Sequence, residues 1–252
     1  MQKRFLDLII SIPLFILVLP VLIIFVAIVY FSDFHNPLYI PKRVGRNGKM
    51  FRMYKIRSMI QNADKSGVDS TSNNDTRITA IGLLIRRFKI DELTQLINVI
   101  KGDMSLVGPR PNIKSETDLY SAEELTLLNI RPGITDFSSI VFSDEGQILS
   151  NHPDPDIGYN QLIRPGKGAL GVFYVKNHNV IIDLKLIFLT ALSIFTRERA
   201  LKIIASTLQR LNAPEDLIKL SLRKEPLRPK PPLGSTEIVT TRILKQQSTP
   251  VI

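Results

Sequence analysis

The chain has no cysteine and no tryptophan, and only three histidines in 252 residues. Without cysteine there is no disulfide framework, no thiolate zinc site and no cysteine nucleophile. His35, His152 and His178 lie too far apart in sequence to show metal-ligand spacing, so surface or polar-core roles account for them. Acidic residues are in short supply as well: 23, against 33 lysines and arginines, for a formal charge of +10. That excess calls for an anionic partner, whether phosphorylated substrate, anionic lipid or nucleic acid. A nucleic-acid binder would carry a cationic stripe with interleaved aromatic stacking positions. Here the basic residues bracket apolar segments instead, which sets nucleic acid aside. Neither the GxxxxGK[ST] phosphate loop nor the HExxH metal motif occurs. At this length the chain can build one good core with room for a tail.

What the sequence has in abundance is an apolar run near its N-terminus. Leu8 to Phe31 contains no charged residue, and as a helix those residues would span about 36 Å, enough to cross a bilayer core of about 30 Å. The run is too long for a cleaved signal peptide, and no small-x-small site follows it. A single spanning helix is one reading. Two features favour a re-entrant helix that dips and returns. Pro13 and Pro20 interrupt the run, and Pro20, near its middle, removes a backbone hydrogen bond and kinks the helix. Both flanks are basic, Lys3 and Arg4 before it and Lys42, Arg43, Arg46 and Lys49 after it, and the positive-inside rule wants both in the cytoplasm.

Farther along, Pro37, Pro41, Gly45 and Asn47-Gly48 punctuate an extended section, and the Asn-Gly pair predicts a short β-hairpin between KRV and MFRMYKI. Residues 61–77 are polar and rich in Gly, Ser and Asn, predicting a mobile loop. Ile78 to Phe88 is expected to be helical. Leu93, Leu96, Ile97 and Ile100 then follow helical spacing, with Asp91 placed as N-cap and Gly102 as the stop. A further helix is expected over 116–129, after which Pro132-Gly133 turns the chain into an irregular section, 134–170. Val180 to Phe195 is strongly apolar but too short for a comfortable span, so it reads as a core or interfacial helix. From Lys224 the chain carries PLRPKPPLGST and few large apolar residues, the composition of a basic, partly disordered tail.

The chemistry centres on Asp91-Glu92. At a helix N-terminus the macrodipole favours negative charge. A carboxylate there can act as a nucleophile toward phosphorus or ligate Mg²⁺ together with substrate phosphates, with Glu92 as a second contact or base. Capping alone would equally explain the aspartate. Lys55, Arg57, Arg86, Arg110 and Arg131 stand beside predicted turns or helix ends, positions that suit phosphate binding. Pro109 and Pro111 would stiffen the turn that carries Arg110.

Five blocks in order carry a family resemblance: KRFLD, RVGRNGKMFRMYKIRSM, KIDELTQLINVIKGDMSLVGPRP, RPGIT and FYVKNHNVIIDLKLIFLTAL. Over about Gln2 to Thr196 the chain resembles the monotopic phosphoglycosyl transferases, bacterial sugar transferases that initiate polysaccharide and glycan assembly on a polyprenyl carrier. The resemblance implies an α+β fold: a membrane anchor over 1–35, re-entrant or spanning, and a small helix-rich catalytic domain over 36–199 with a short hairpin and an interfacial helix near 180–195. Residues 200–252 form a basic extension beyond it. It implies Mg²⁺-dependent transfer of a sugar phosphate from a UDP-sugar to polyprenyl phosphate, releasing UMP. Asp91 would be the nucleophile, and Glu92 would help hold the metal, with Asp91 beside it. Arg86, Arg110 and Arg131 would be phosphate ligands, and Lys55 and Arg57 nucleotide contacts. It further implies the bacterial inner membrane with the catalytic domain facing the cytoplasm, contact with anionic lipid, and homo-oligomers or downstream glycosyltransferases as partners. Two departures stand out. Asp136 follows RPGIT where relatives have glycine, leaving sugar identity open, and Leu19-Pro20 replaces the Ser-Pro pair of the membrane break. A catalytically silent scaffold on the same fold is the rival reading; the intact Asp91-Glu92 pair and its arginines oppose it.

Overall fold

Helix α1 runs Gln2–Asp33 through both prolines; the computed structural model describes residues 2–242. At this length α1 reaches about 48 Å, yet both of its ends are fastened to one globular body. Near the start, Lys3 pairs with Asp183 at 2.5 Å, Arg4 donates to the carbonyls of Val99 and Ile100, and Asp7 accepts from Ser105 Oγ and Leu106 N. At the far end, Asp33 accepts from both terminal nitrogens of Arg57 at 2.5 and 2.6 Å. Between these anchors Ser11, Leu22 and Val29 are buried, a stripe at helical spacing. The opposite face, with Phe5, Ile9, Ile16, Leu17, Ile23, Ile24 and Phe31, is exposed.

The section after α1 is built from paired short strands. β1 (Leu38–Tyr39) will pair with a strand two turns later, and β2 (Lys42–Val44) with β3 (Met50–Arg52) forms the expected hairpin around Asn47-Gly48. Both of those turn residues have positive φ, the conformation for which the Asn-Gly pair is suited. β4 (Lys55–Ile56) closes antiparallel on β1. Arg77 gathers the polar loop that follows, donating to the carbonyls of Ala63, Val68 and Ser70 and pairing with Asp75. α2 (Ala80–Arg87) starts at Thr79, whose side chain accepts from Gly82 N.

Three expectations for the middle of the chain are corrected. The helix expected to begin at an Asp91 cap is two short ones, α3 (Ile90–Leu93) and α4 (Leu96–Lys101), and the residue at the cap of α3 is Lys89. Gly102, at φ 92, does end α4. β5 (Ser105–Val107) follows. The single helix expected over 116–129 is instead α5 (Lys114–Thr117), α6 (Ala122–Leu125) and a 3-10 turn, Thr126–Asn129. The cause is Ser121, which caps Glu124 N reciprocally with the Glu124 side chain and so starts a new helix. β6 (Gly133–Thr135) then pairs parallel with β5. The section 134–170, read as irregular, is largely helical: α7 (Phe137–Val141) capped by Asp136, α8 (Glu145–Ser150), α9 (Pro155–Gly158) capped by Asp154, a π-turn at Tyr159–Ile163, and α10 (Arg164–Asn177).

The glycines that disguise α10 serve packing. A Cβ at Gly166 would fall 2.5 Å from the Phe142 ring, and one at Gly171 2.8 Å from Leu127. The string GKGALG at 166–171 has the spacing of a dinucleotide-binding turn, but it lies inside a helix and not at a strand-to-helix turn, so it makes no phosphate cradle. α11 (Val180–Phe195) covers the expected residues, with Ile182, Leu186 and Leu189 buried and Ile181, Leu184, Phe188 and Phe195 exposed. α12 (Arg197–Arg210) and α13 (Glu215–Leu222) complete the helices. The boundary at 199 therefore falls inside α12, whose Ala200, Leu201, Ile204 and Leu208 join the main core. Leu227 packs on that core too. The last part of the tail, residues 243–252, lies outside the described residues.

Candidate active site

The site begins with a backbone reversal. Lys89 sits at φ 53, ψ 30, a left-handed conformation costing a non-glycine residue about 1–2 kcal/mol. The reversal ends α2 and lets α3 start at once, with Asp91 and Glu92 in its first turn. The α3–α4 face is stitched to the strands: Thr94 Oγ1 donates to the Tyr54 carbonyl, Asn98 Nδ2 to that of Arg52, and Tyr54 N to Asn98 Oδ1. That stitching brings Lys55, at the head of β4, to the buried Asp91, with Nζ 3.0 Å from Oδ2.

Arg110 arrives from the exit of β5. It can do so because Gly108 and Gly133 meet backbone to backbone: a Cβ on Gly108 would lie 2.4 Å from the Arg131 carbonyl, and one on Gly133 2.0 Å from Gly108 N. The GPRP and RPG blocks are thus the two halves of one close contact. Arg110 Nη2 then pairs with Glu92 Oε1 at 2.5 Å. Burial pushes the Glu92 carboxyl up, but the charges of Arg110, Lys55 and Lys89 outweigh it and hold the group well below the usual carboxylate range. Glu92 in turn raises Arg110.

The neighbouring wall comes from the section read as irregular. Lys167 of α10 pairs with Glu145 of α8 and lies over the Tyr159 ring, 5.3 Å from its centroid. The Glu145 charge reaches Arg110 and that of Lys167 reaches Lys89. Glu116 is half-buried nearby, and burial pushes its carboxyl up to about 7.

Of the residues singled out by sequence, the structure brings together Lys55, Asp91, Glu92 and Arg110. Arg86 occupies the last turn of α2, half-buried. Arg57 is engaged by Asp33 and the Asn36 carbonyl, bracing the end of α1, and Arg131 Nε donates to the Gly102 carbonyl at 2.9 Å. Sequence reasoning missed Lys89, Glu145 and Lys167. For Lys89 a signal existed, a cation wedged between a helix end and the acidic pair. For the other two there was none while their helices went unread. Among the described residues no three His, Asp or Glu converge on a metal position. Magnesium, however, takes one or two carboxylates with substrate phosphates and water in preference to an all-protein cage, and Asp91 with Glu92 fits that form.

Residues 1–197 match the family model described as bacterial sugar transferase. The chain is 30% identical over 204 residues to the exopolysaccharide production protein ExoY of Sinorhizobium fredii, covering 75% of this chain and 83% of that protein. It is 31% identical over 205 residues to the UDP-N-acetylgalactosamine-undecaprenyl-phosphate N-acetylgalactosaminephosphotransferase of Aeromonas hydrophila, covering 77% of this chain and 44% of that one. With the undecaprenyl-phosphate galactose phosphotransferase of Salmonella typhimurium the identity is 33% over 213 residues, 79% of this chain and 41% of the relative. The chain thus spans most of the first relative and less than half of the other two.

Proposed function

The chain belongs to the bacterial sugar transferase family, and from that premise we propose that it transfers a sugar 1-phosphate from a UDP-sugar to polyprenyl phosphate, releasing UMP and opening polysaccharide assembly. The observation that carries this reading is the buried Asp91 beside Lys55, with Glu92 and Arg110 next to it, on a body whose α1 and α11 present uncovered apolar faces. Such faces fit a lipid surface, where a polyprenyl phosphate is to be met. The two basic flanks of α1 support a reading of the body as lying on the cytoplasmic side of the inner membrane, and they suit anionic lipid headgroups.

In the first step an Asp91 carboxylate oxygen attacks the phosphorus that bears the sugar. The bond from that phosphorus to the bridging oxygen breaks, and UMP leaves with the electron pair. The aspartyl-phosphosugar is then attacked at the same phosphorus by a polyprenyl phosphate oxygen, and the Asp91 carboxylate is regenerated. Lys55 holds the Asp91 side chain in register for attack. Arg110, forked and half-exposed, exchanges part of its contact with Glu92 for phosphate oxygens. Glu92 and Asp91 would hold a magnesium ion, which would supply charge neutralisation on the phosphates.

The test is UMP release by purified protein in nanodiscs with polyprenyl phosphate, Mg²⁺ and a panel of UDP-sugars. Release with at least one donor is expected, and Asp91→Asn should lower it by about a thousandfold or more. Folded wild-type protein that releases no UMP from any donor would favour the silent scaffold over this reading.

A further inference from the structure

The cations around the acidic pair are unevenly committed. Asp91 is matched by Lys55, Glu92 by Arg110, and Glu145 by Lys167. Lys89 stands two residues before Asp91, half-buried; burial pushes its ammonium down, while the charges of Glu92 and Asp91 push it up. Yet among the described residues its ammonium forms no ion pair or hydrogen bond. It is also held in the left-handed backbone region, immediately before the catalytic turn. Strain of this kind persists only where the surroundings enforce it, and it concentrates at ligand-binding and catalytic positions. A lysine is a poor choice there on conformational grounds alone, since glycine or asparagine would adopt the same φ more readily.

We propose that Lys89 is the cation reserved for substrate: its unpaired ammonium, presented by the left-handed turn at the start of α3, binds the diphosphate of the nucleotide donor. This rests on the reading of the site as a phosphoglycosyl transferase and deepens it. The paired cations orient the carboxylates, and the unpaired one meets the incoming anion. Before substrate arrives, each carboxylate of the cluster is balanced by its own partner. Lys89 is surplus positive charge, and a phosphate anion satisfies it.

Three variants separate charge from backbone. Lys89→Met removes the charge and keeps the strain, Lys89→Gly removes both, and Lys89→Arg keeps both. Calorimetric binding of UDP, without metal, and the KM for the UDP-sugar are read for each, with thermal unfolding as the control for folding. UDP affinity should weaken about tenfold in the methionine and glycine variants, as expected for loss of one charged hydrogen bond, and KM should rise in parallel. The arginine variant should stay near wild type. The glycine variant should unfold no earlier than wild type. Unchanged UDP affinity in the glycine and methionine variants, beside an active wild type, would overturn the role of Lys89 alone. A wild type that releases no UMP from any donor would overturn both this role and the reading it rests on.

Discussion

Whether a charged side chain serves the reaction or the fold is decided by which partner it has already taken. Arg57 and Arg110 look alike in sequence, each beside a predicted turn. In the structure Arg57 is nearly buried and gives both terminal nitrogens to Asp33, whereas Arg110 keeps a third of its side chain exposed beside Glu92. The two should therefore fail differently. Arg57→Ala is expected to lower the melting temperature by removing a nearly buried side chain and its two-nitrogen contact with Asp33, with KM for the donor close to wild type. Arg110→Ala should raise KM or lower kcat at least tenfold, at about the loss of one charged phosphate contact, with a smaller change in melting temperature. Thermal unfolding and steady-state UMP release on the same preparations distinguish them; the reverse ordering would reassign both arginines.

Among the elements, the parallel pair β5–β6 leaves its glycines no room for a side chain. It is only three residues long on each side, but it joins the GPRP and RPG blocks and thereby aims Arg110. Gly133→Ala would bring its Cβ to 2.0 Å from Gly108 N, against backbone that has nowhere to go. The expected cost is about 3 kcal/mol or more, the upper range for overpacking, read as a lower melting temperature or failure to accumulate folded protein. Stability within error of wild type would mean that the two motif blocks can part without consequence. Helix α1 illustrates the other side of the same scale. Its charge-free run and basic flanks were enough to expect a membrane element, while its anchoring at both ends came from Lys3, Arg4, Asp7 and Asp33, whose partners lie far away in sequence.

For the whole molecule the informative segment is the one beyond the family match, which ends at residue 197. α12 and α13 contribute Ala200, Leu201, Ile204, Leu208 and Leu217 to the main core, and Arg223 pairs with Asp144 beside Glu145 of the site wall. Ending the chain after Thr196 would remove those side chains, each large one worth about 2–3 kcal/mol when buried, a loss comparable with a domain's whole margin of about 5–15 kcal/mol. The truncated chain should be found unfolded or aggregated by size exclusion; a soluble, UMP-releasing truncation would show the extension to be dispensable. The sequence by itself determined the apolar anchor, the Asn-Gly hairpin, the helices at 80–87 and 180–195, and the candidate pair Asp91-Glu92, because each rests on local periodicity, turn chemistry or a short contiguous block, while the α+β class came through the family resemblance. Only the tertiary structure decided that 134–170 is mostly helical, that Arg57 meets Asp33 and Arg131 the Gly102 carbonyl, and that Glu145 and Lys167 lie beside the candidate site. Glycines that pack against Phe142 and Leu127 look like helix breakers until their neighbours are in place, and a charge shows its purpose only once its partner, tens of residues away, has either reached it or left it free.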